Sequence, residues 1–460
     1  MSDVLGASFR DPSGFVFRHE GRVHRQVNQC YAEDFELLLS SGLYEQLTQS
    51  GSLVAHAQVD GPLSKAAPEI HYRTLLPDSV PFVSYPYEWC FSQLKDAALL
   101  SLRIARAALA AGMTLKDASA YNVQFVAGQP LFIDTLSFER YREGEPWVAY
   151  RQFCQHFLAP LALMAIRDVR LSQLLRVHLD GIPLDLATSL LPARAWLRGG
   201  LLMHLRVHAS FQRRHAASAG AREARPLSRQ AFDNLLVSLH SVVRKLDWEP
   251  EGSEWADYTE GDSYEPDALA HKQRLVEGHL AAVAPATLWD LGANVGVYSR
   301  LAASAGAGVI SFDVDPACVE QNYHGVRETR EKRILPLLLD LTNPSPAIGW
   351  ANAERGTLGS RARPDLLLAL ALVHHLAISN NVPLPRIAAT LADMADELVI
   401  EFVPKSDPKV ETLLATRRDV FPEYTGEGFE AAFAEHWDIL AQDAIEGSER
   451  TLYRMRRKGR

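Results

Sequence analysis

Cysteine is scarce in this chain and scattered where it occurs: Cys30, Cys90, Cys154 and Cys318 include no CxxC pair. That excludes a cysteine-built zinc cage and a disulfide framework, and it suits a reducing compartment, so a cytoplasmic protein is expected. Long apolar runs are lacking as well. The longest, near Phe157 to Ile166 and Leu366 to Val373, are too short to span a bilayer, and the opening "MSDVLGASFRDPSG" has no signal-peptide core. The expectation is a soluble protein that does not engage a membrane. Positive charge is in deficit: the net charge of −9 argues against a general nucleic-acid binder, without excluding a local basic surface. Internal repeats and low-complexity tracts are absent too. What remains is a 460-residue chain, 47% hydrophobic and 22% charged, which suits a globular enzyme of two domains.

The first part, to about Val148, alternates short strand-like runs with turns. "GFVFRHEGRVHRQV" and "NVQFVAGQPLFID" read as hairpins turning at His-Glu-Gly and Ala-Gly-Gln. One long helical pattern, "YEWCFSQLKDAALLSLRIARAALAAG", interrupts them and stops at Gly112. Helical patterns dominate from Tyr150 to His215, and "HAASAGAREARPLS" has the small, polar, aperiodic composition of a linker. The expected division is therefore an α+β domain over 1–214, a linker over 215–229, and a second domain over 230–460 with a helical lead-in.

From Thr287 onward, strand and helix patterns alternate. "TLWDLG", "GVISFDVD", "ILPLLLDL", "PDLLLALAL" and "ELVIEFVP" are continuous apolar runs, as parallel strands buried on both faces require. The fold class expected is α/β: a doubly wound, mostly parallel, Rossmann-like sheet. "WDILAQDAI" and "RTLYRMRR" flank "EGSE" and would add an antiparallel hairpin at one edge.

Ligands of such sheets sit beyond the carboxyl ends of the strands. There the first strand ends in "DLGANVG", with Asp290 followed by Gly292, Asn294 and Gly296, a turn tight enough to bring backbone against a ligand. The next strands deliver Asp313, with Asp315 close by, and then Asp340. A carboxylate about 20 residues past the glycines is placed to hold ribose hydroxyls, and Asp313 has that position. A dinucleotide pyrophosphate would be repelled by Asp290 by several kcal/mol, on the order of the Coulomb estimate. A cationic ligand would not, and S-adenosylmethionine combines a ribose with an ammonium and a sulfonium.

These residues resemble the class I S-adenosylmethionine-dependent methyltransferases. "DLGANVG" looks like their first motif, "VISFDVDP" the second, "LLLDLTNPSP" the acidic adenine loop and "DLLLALALVHHL" the fourth-strand motif, over roughly Tyr264 to Arg457. More loosely, "LALALVHHLAISNNVPL" and "VFPEYTGEGFEAAF" are similar to bacterial methyltransferases associated by name with nodulation proteins, a name that implies no substrate. The resemblance implies that Asp290, Gly292, Asn294 and Gly296 shape the methionine pocket, Asp313 takes the ribose, and Asp340 with the Leu341 backbone takes the adenine. It implies transfer of a methyl group to an acceptor that the sequence does not identify. A base is needed only where the acceptor must lose a proton. His374 and His375 are candidates, Glu401 a further one; packing and capping are the simpler roles for the histidines. The rival class is a non-catalytic binding protein on the same cofactor fold.

In the first domain, "LKDASAYNVQFVAGQPLFID" sets Asp117, Asn122 and Asp134 at loop, hairpin and strand end, with Arg25 the nearest strand cation. That set resembles the phosphotransfer site of the protein-kinase-like and aminoglycoside-kinase fold in a degenerate form, without a Gly-rich loop or a strand lysine. His204 and His208 share a helix face, but Leu205 stands where a zinc-protease glutamate would be, so no metal site is expected. Between Arg194 and Arg229 there are eight arginines and one acid, Glu223, a stretch suited to an anionic partner or to a solvated face.

Overall fold

A computed structural model describes residues 4–207, 227–250, 266–415 and 418–459. The chain forms two compact units, Met1–Glu249 with Ala347–Gly356, and Pro250–Pro346 with Thr357–Arg460.

The first unit opens with a four-stranded antiparallel sheet of β1 (Gly14–His19), β2 (Arg22–Asn28), β3 (His56–Val59) and β4 (His71–Pro77), in the order β1-β2-β4-β3. Glu20 and Gly21 form the β1–β2 turn, both at positive φ, the two-residue geometry whose twist matches paired strands. Helix α1 (Ala32–Ser40) sets Phe35 and Leu38 into the core. Helix α2 (Phe91–Ala110) follows the predicted pattern and ends before Gly112, at φ +77°. Four short strands complete the polar part of the unit: β5 (Met113–Leu115), β6 (Val123–Val126), β7 (Gln129–Phe132) and β8 (Phe138–Arg140). The β6–β7 hairpin turns at Ala127 and Gly128, again both at positive φ.

The division differs from the expected one. Helix α3 (Arg229–Lys245), read from sequence as a lead-in to the second domain, belongs to the first unit. Its apolar face of Phe232, Leu236, Leu239 and Val243 is buried, and Arg229 donates to the Leu109 and Ala110 carbonyls at the end of α2. A cation on the last carbonyls of a helix satisfies groups that have no partner within it. The linker expected over 215–229 lies outside the described residues as far as residue 226.

The second unit is a seven-stranded sheet flanked by helices. In chain order it contains α4 (Pro266–Val283), β9 (Thr287–Leu291), α5 (Val297–Ser304), β10 (Gly308–Asp313), α6 (Pro316–Thr329) and β11 (Ile334–Leu338). There follow β12 (Leu366–Ala369), α7 (Leu384–Met394), β13 (Glu397–Phe402), α8 (Gly426–Ala434), β14 (Trp437–Ala444) and β15 (Thr451–Arg457). The order is β11-β10-β9-β12-β13-β15-β14, with β9 to β13 parallel and β15 antiparallel to both its neighbours. This is the doubly wound, mostly parallel sheet with a terminal hairpin, and the strand order reverses at β9 beside β12. The core that fixes it includes Leu288, Val309, Leu366, Leu368 and Val399, all buried. No described helix is long and apolar enough to cross a membrane.

Candidate active site

The turn after β9 is made by conformation and held by charge. Gly292, Asn294 and Gly296 all have positive φ, at +73°, +50° and +82°. A Cβ at Gly296 would lie 2.5 Å from the Asn322 side chain, so only glycine lets α5 start here. The Asn294 N–H donates to Asp313 Oδ2 at 2.7 Å and the Asp315 N–H to Asp313 Oδ1 at 2.9 Å, which ties the turn to the end of β10. Arg300 donates to the Val295 and Gly296 carbonyls at 2.6 and 2.8 Å. Below the turn, Ser299 Oγ donates to Asp290 Oδ2 at 2.6 Å and shares Ser311 Oγ, which also receives Asn322 Nδ2. Asp290 is thus buried beneath the turn and braces its helix.

Burial pushes the Asp313 carboxyl up to about 6, against the backbone donors that lower it. Asp315 caps α6 through the Ala317 N–H. Asp340 is exposed just beyond β11 and accepts from the Thr342 N–H and hydroxyl at 2.8 and 2.6 Å; Leu341 follows it into the loop.

Across the point where strand order reverses stands the turn after β12. Leu372 Cδ1 would be 3.2 Å from a Cβ on Gly292, so the two turns meet at this point. Ala371 has φ +47°, a conformation costly for a residue with a Cβ. The chain then forms one wide turn over His375–Ser379, closed by the Asn380 N–H on the His375 carbonyl, of the kind common at functional sites. The rings of His374 and His375 are 4.0 Å apart. Burial, with Arg450 nearby, depresses both: His375 to about 4, and His374 well below the ordinary value, also through His375. Both imidazoles are therefore neutral at neutral pH. His374 is buried and its Nδ1 has no hydrogen-bond partner among the described residues.

Glu401, taken from sequence as a candidate base, does not fit that role. It is fully buried and accepts from Lys272 Nζ at 2.9 Å, from the Ala371 N–H at 2.9 Å and from Arg450 at 3.4 Å. Arg450 also donates to Asp407 at 2.6 Å, and Lys272 lies 4.8 Å from the centre of the Tyr298 ring. A carboxylate held by two cations and a backbone donor is a brace for the strained turn. Lys272, Arg450, Asn322 and Arg300 were missed in the sequence reading. For Lys272 and Arg300 the one signal is a charge within a helical pattern, as in "LAHKQRLV"; neutral Asn322 and turn residue Arg450 carry none.

In the first unit, the sequence-predicted polar residues do come together. Asp134 accepts from Arg25, from Ser137 Oγ at 2.5 Å and from the Leu136 N–H at 3.1 Å. Burial raises its carboxyl, yet Arg25 and these donors outweigh that and hold it low. Asp117 accepts from the Ser119 N–H at 2.9 Å, and Asn122 donates to Ser137 at 3.3 Å. Burial, then the Asp134 charge, raises Asp117. His204 is a core residue whose two nitrogens meet Tyr150 at 2.8 Å and Ser238 at 3.0 Å. His208 and residues 208–226 of the basic stretch lie outside the described residues.

No family model matches the chain. It is 36% identical over 459 residues to nodulation protein NoeA of Rhizobium meliloti (strain 1021), covering 98% of this chain and 96% of that one. Among solved structures, it is 16% identical to the magnesium protoporphyrin IX methyltransferase of Synechocystis PCC 6803, with 42% of this chain and 86% of that one covered at a TM-score of 0.30. For the N-methyltransferase NodS of Bradyrhizobium japonicum WM9, the values are 13%, 42%, 99% and 0.31. Those overlaps are partial, and the fold rests on the strand order itself. None of these comparisons supports the kinase resemblance. With a class I methyltransferase-like sheet in its second unit and a relative aligned along almost its whole length, the chain belongs to the family of the nodulation protein NoeA.

Proposed function

We propose that the protein is an S-adenosylmethionine-dependent methyltransferase acting in the cytoplasm on an acceptor still to be identified. The observation that carries this is the meeting of two turns at the strand-order reversal, the glycine turn clamped to Asp313 and the histidine-bearing turn that reaches it through Leu372. The residues present fit the cofactor. Gly296 lets the backbone turn tightly against Asn322 at the strand end, and Asp313 is a carboxylate suited to a ribose. Asp290 would contribute negative potential toward the ammonium, and Asp340 with the Leu341 backbone would border the adenine. When bound, the cofactor supplies an electrophilic methyl carbon on a sulfonium.

The chain's own task is then positional, since holding an acceptor atom in line can contribute about 7 kcal/mol or more. Neutral His374 and His375 can accept a hydrogen bond from an acceptor N–H or O–H. Their depressed basicity suits orientation more than full proton removal. The decisive test is incubation with methyl-labelled S-adenosylmethionine and a fractionated lysate, together with calorimetry of S-adenosylhomocysteine. A folded protein that shows neither heat nor label transfer overturns the proposal and leaves the binding-protein reading.

Asp313 gives that test a signature. Asp313→Ala is expected to weaken S-adenosylhomocysteine by about 1.5–3 kcal/mol, the range for a hydrogen bond to a charged group. Its two backbone contacts predict some loss of stability as well. Ribose hydroxyls would donate to the charged carboxylate, so binding should release a proton. Affinity should therefore fall as pH drops below about 6, by up to about tenfold per unit, and Asp313→Asn should flatten that dependence. The stability sign is opposite: a carboxyl raised in the fold favours the folded state below its unfolded value and disfavours it as pH rises through 6.

For the first unit, we read the Arg25–Asp134 cluster as an internal brace. A metal ion would have to displace Arg25 from a carboxylate whose other contacts are already made. Millimolar nucleotide with Mg²⁺ is expected to leave the melting temperature unchanged, while Asp134→Ala costs about 3 kcal/mol by leaving Arg25 unpaired. A Mg²⁺-dependent rise abolished by Asp134→Ala would restore the phosphotransfer reading.

A further inference from the structure

The second unit has a groove that the cofactor residues do not use. It measures about 610 Å³ and is lined by Pro383 and Leu384 at the start of α7, Val420, Phe421 and Pro422 after β13, and Ala431 of α8. The start of α7 and the 420–422 segment follow the carboxyl ends of β12 and β13, the edge that carries the proposed transfer site. Ala377, two residues past His375 on the same wide turn, also lines it. Its size is that of a small-molecule site.

The walls are built rather than incidental. Lys405 donates to the Phe421 carbonyl at 2.7 Å and pairs with Asp419, and Tyr424 donates to the Val403 carbonyl at 2.8 Å. Gly428 is required where α8 begins, because a Cβ there would lie 2.1 Å from the Glu423 carbonyl oxygen. Beneath the groove, Phe402 stacks between Tyr424 and Phe429, with ring centres 5.2 and 5.0 Å away. Among the described residues, the charged members of the lining are Glu423 and Glu435. The two carboxylates disfavour a polyanion such as nucleic acid in that lining.

From these observations we infer that the methyl acceptor is an amphipathic small molecule. Its uncharged apolar portion occupies this groove, and its accepting atom reaches past Ala377 to His374 and His375. The inference rests on the methyltransferase reading and deepens it. It differs from the general expectation for the fold in naming what the acceptor must carry: an apolar portion without anionic groups, large enough to fill the space between α7 and α8.

Nile red, a neutral apolar fluorophore, serves as the probe with the full-length protein. The wild type should bind it saturably. Ala431→Trp, which fills the mouth from an exposed helical position, and Val420→Asp, at a site 60% exposed, should each weaken it at least tenfold. Both variants should retain wild-type S-adenosylhomocysteine affinity. In the labelled-lysate experiment, label should partition into butanol and be lost with either variant. Absence of Nile red binding, binding insensitive to both variants, or label confined to an aqueous polymer would overturn the inference. If S-adenosylhomocysteine fails to bind the wild type, the methyltransferase reading falls, whatever Nile red shows.

Discussion

Gly296→Ala is expected to weaken S-adenosylhomocysteine binding at least about 100-fold, on the order of 3 kcal/mol, the sum of backbone strain and steric conflict. Two independent causes act there. The residue has φ +82°, where a Cβ is strained, and the new methyl carbon would lie 2.5–2.7 Å from three atoms of Asn322. Asn322 cannot step aside cheaply, because it donates to Ser311, which is tied to Ser299 and so to Asp290. Gly292→Ala makes the informative contrast. It meets Leu372 Cδ1 at 3.2 Å, the far end of a side chain that can turn, so its cost should come mainly from φ +73°. Adding Asn322→Ala to Gly296→Ala should recover the steric part and leave the strain. Calorimetry on the three variants separates these contributions. Equal and small losses at both glycines would show that the turn does not seat the cofactor.

The sheet was legible because parallel strands buried on both faces must be continuous apolar runs. All five, from "TLWDLG" to "ELVIEFVP", became β9 to β13, and the tail became the edge hairpin. The glycine turn was legible because positive φ leaves few alternatives to glycine. What could not be read was partnership across long sequence distances. Asp313 looked like a free strand-end carboxylate, yet it is spent partly on the turn it faces, a contact 19 residues away. Helix α3 carried an apolar stripe that fits either domain, and only the fold shows that the stripe covers α2. Glu401 looked like a second base because an acid at the end of a fifth strand is well placed for one. Its true surroundings come from Lys272, 129 positions earlier, and from Arg450, 49 positions later. No local pattern reports such a meeting.

That buried network yields the other large effect. Glu401→Gln should destabilise the protein by about 3–5 kcal/mol, since it removes the buried carboxylate on which two buried cations meet. The charges predict an order among the variants. Lys272 meets Glu401 at 2.9 Å, whereas Arg450 meets it at 3.4 Å and Asp407 more closely at 2.6 Å. Loss of Glu401 therefore takes the closer contact from Lys272 and the longer one from Arg450. Lys272→Met alone should cost less, because Glu401 keeps Arg450, and Lys272→Met added to Glu401→Gln should restore more than half of the loss. Thermal melts can follow the series, with a drop of roughly 10 °C expected for Glu401→Gln in a unit of this size. A bracing role and a catalytic one predict different results. If Glu401 were the base, the Gln variant would melt like the wild type, bind S-adenosylhomocysteine normally and fail only in transfer. If it holds the Ala371 turn, stability and cofactor affinity fall together, and the Met–Gln pair recovers both because one buried positive charge is removed along with the negative one.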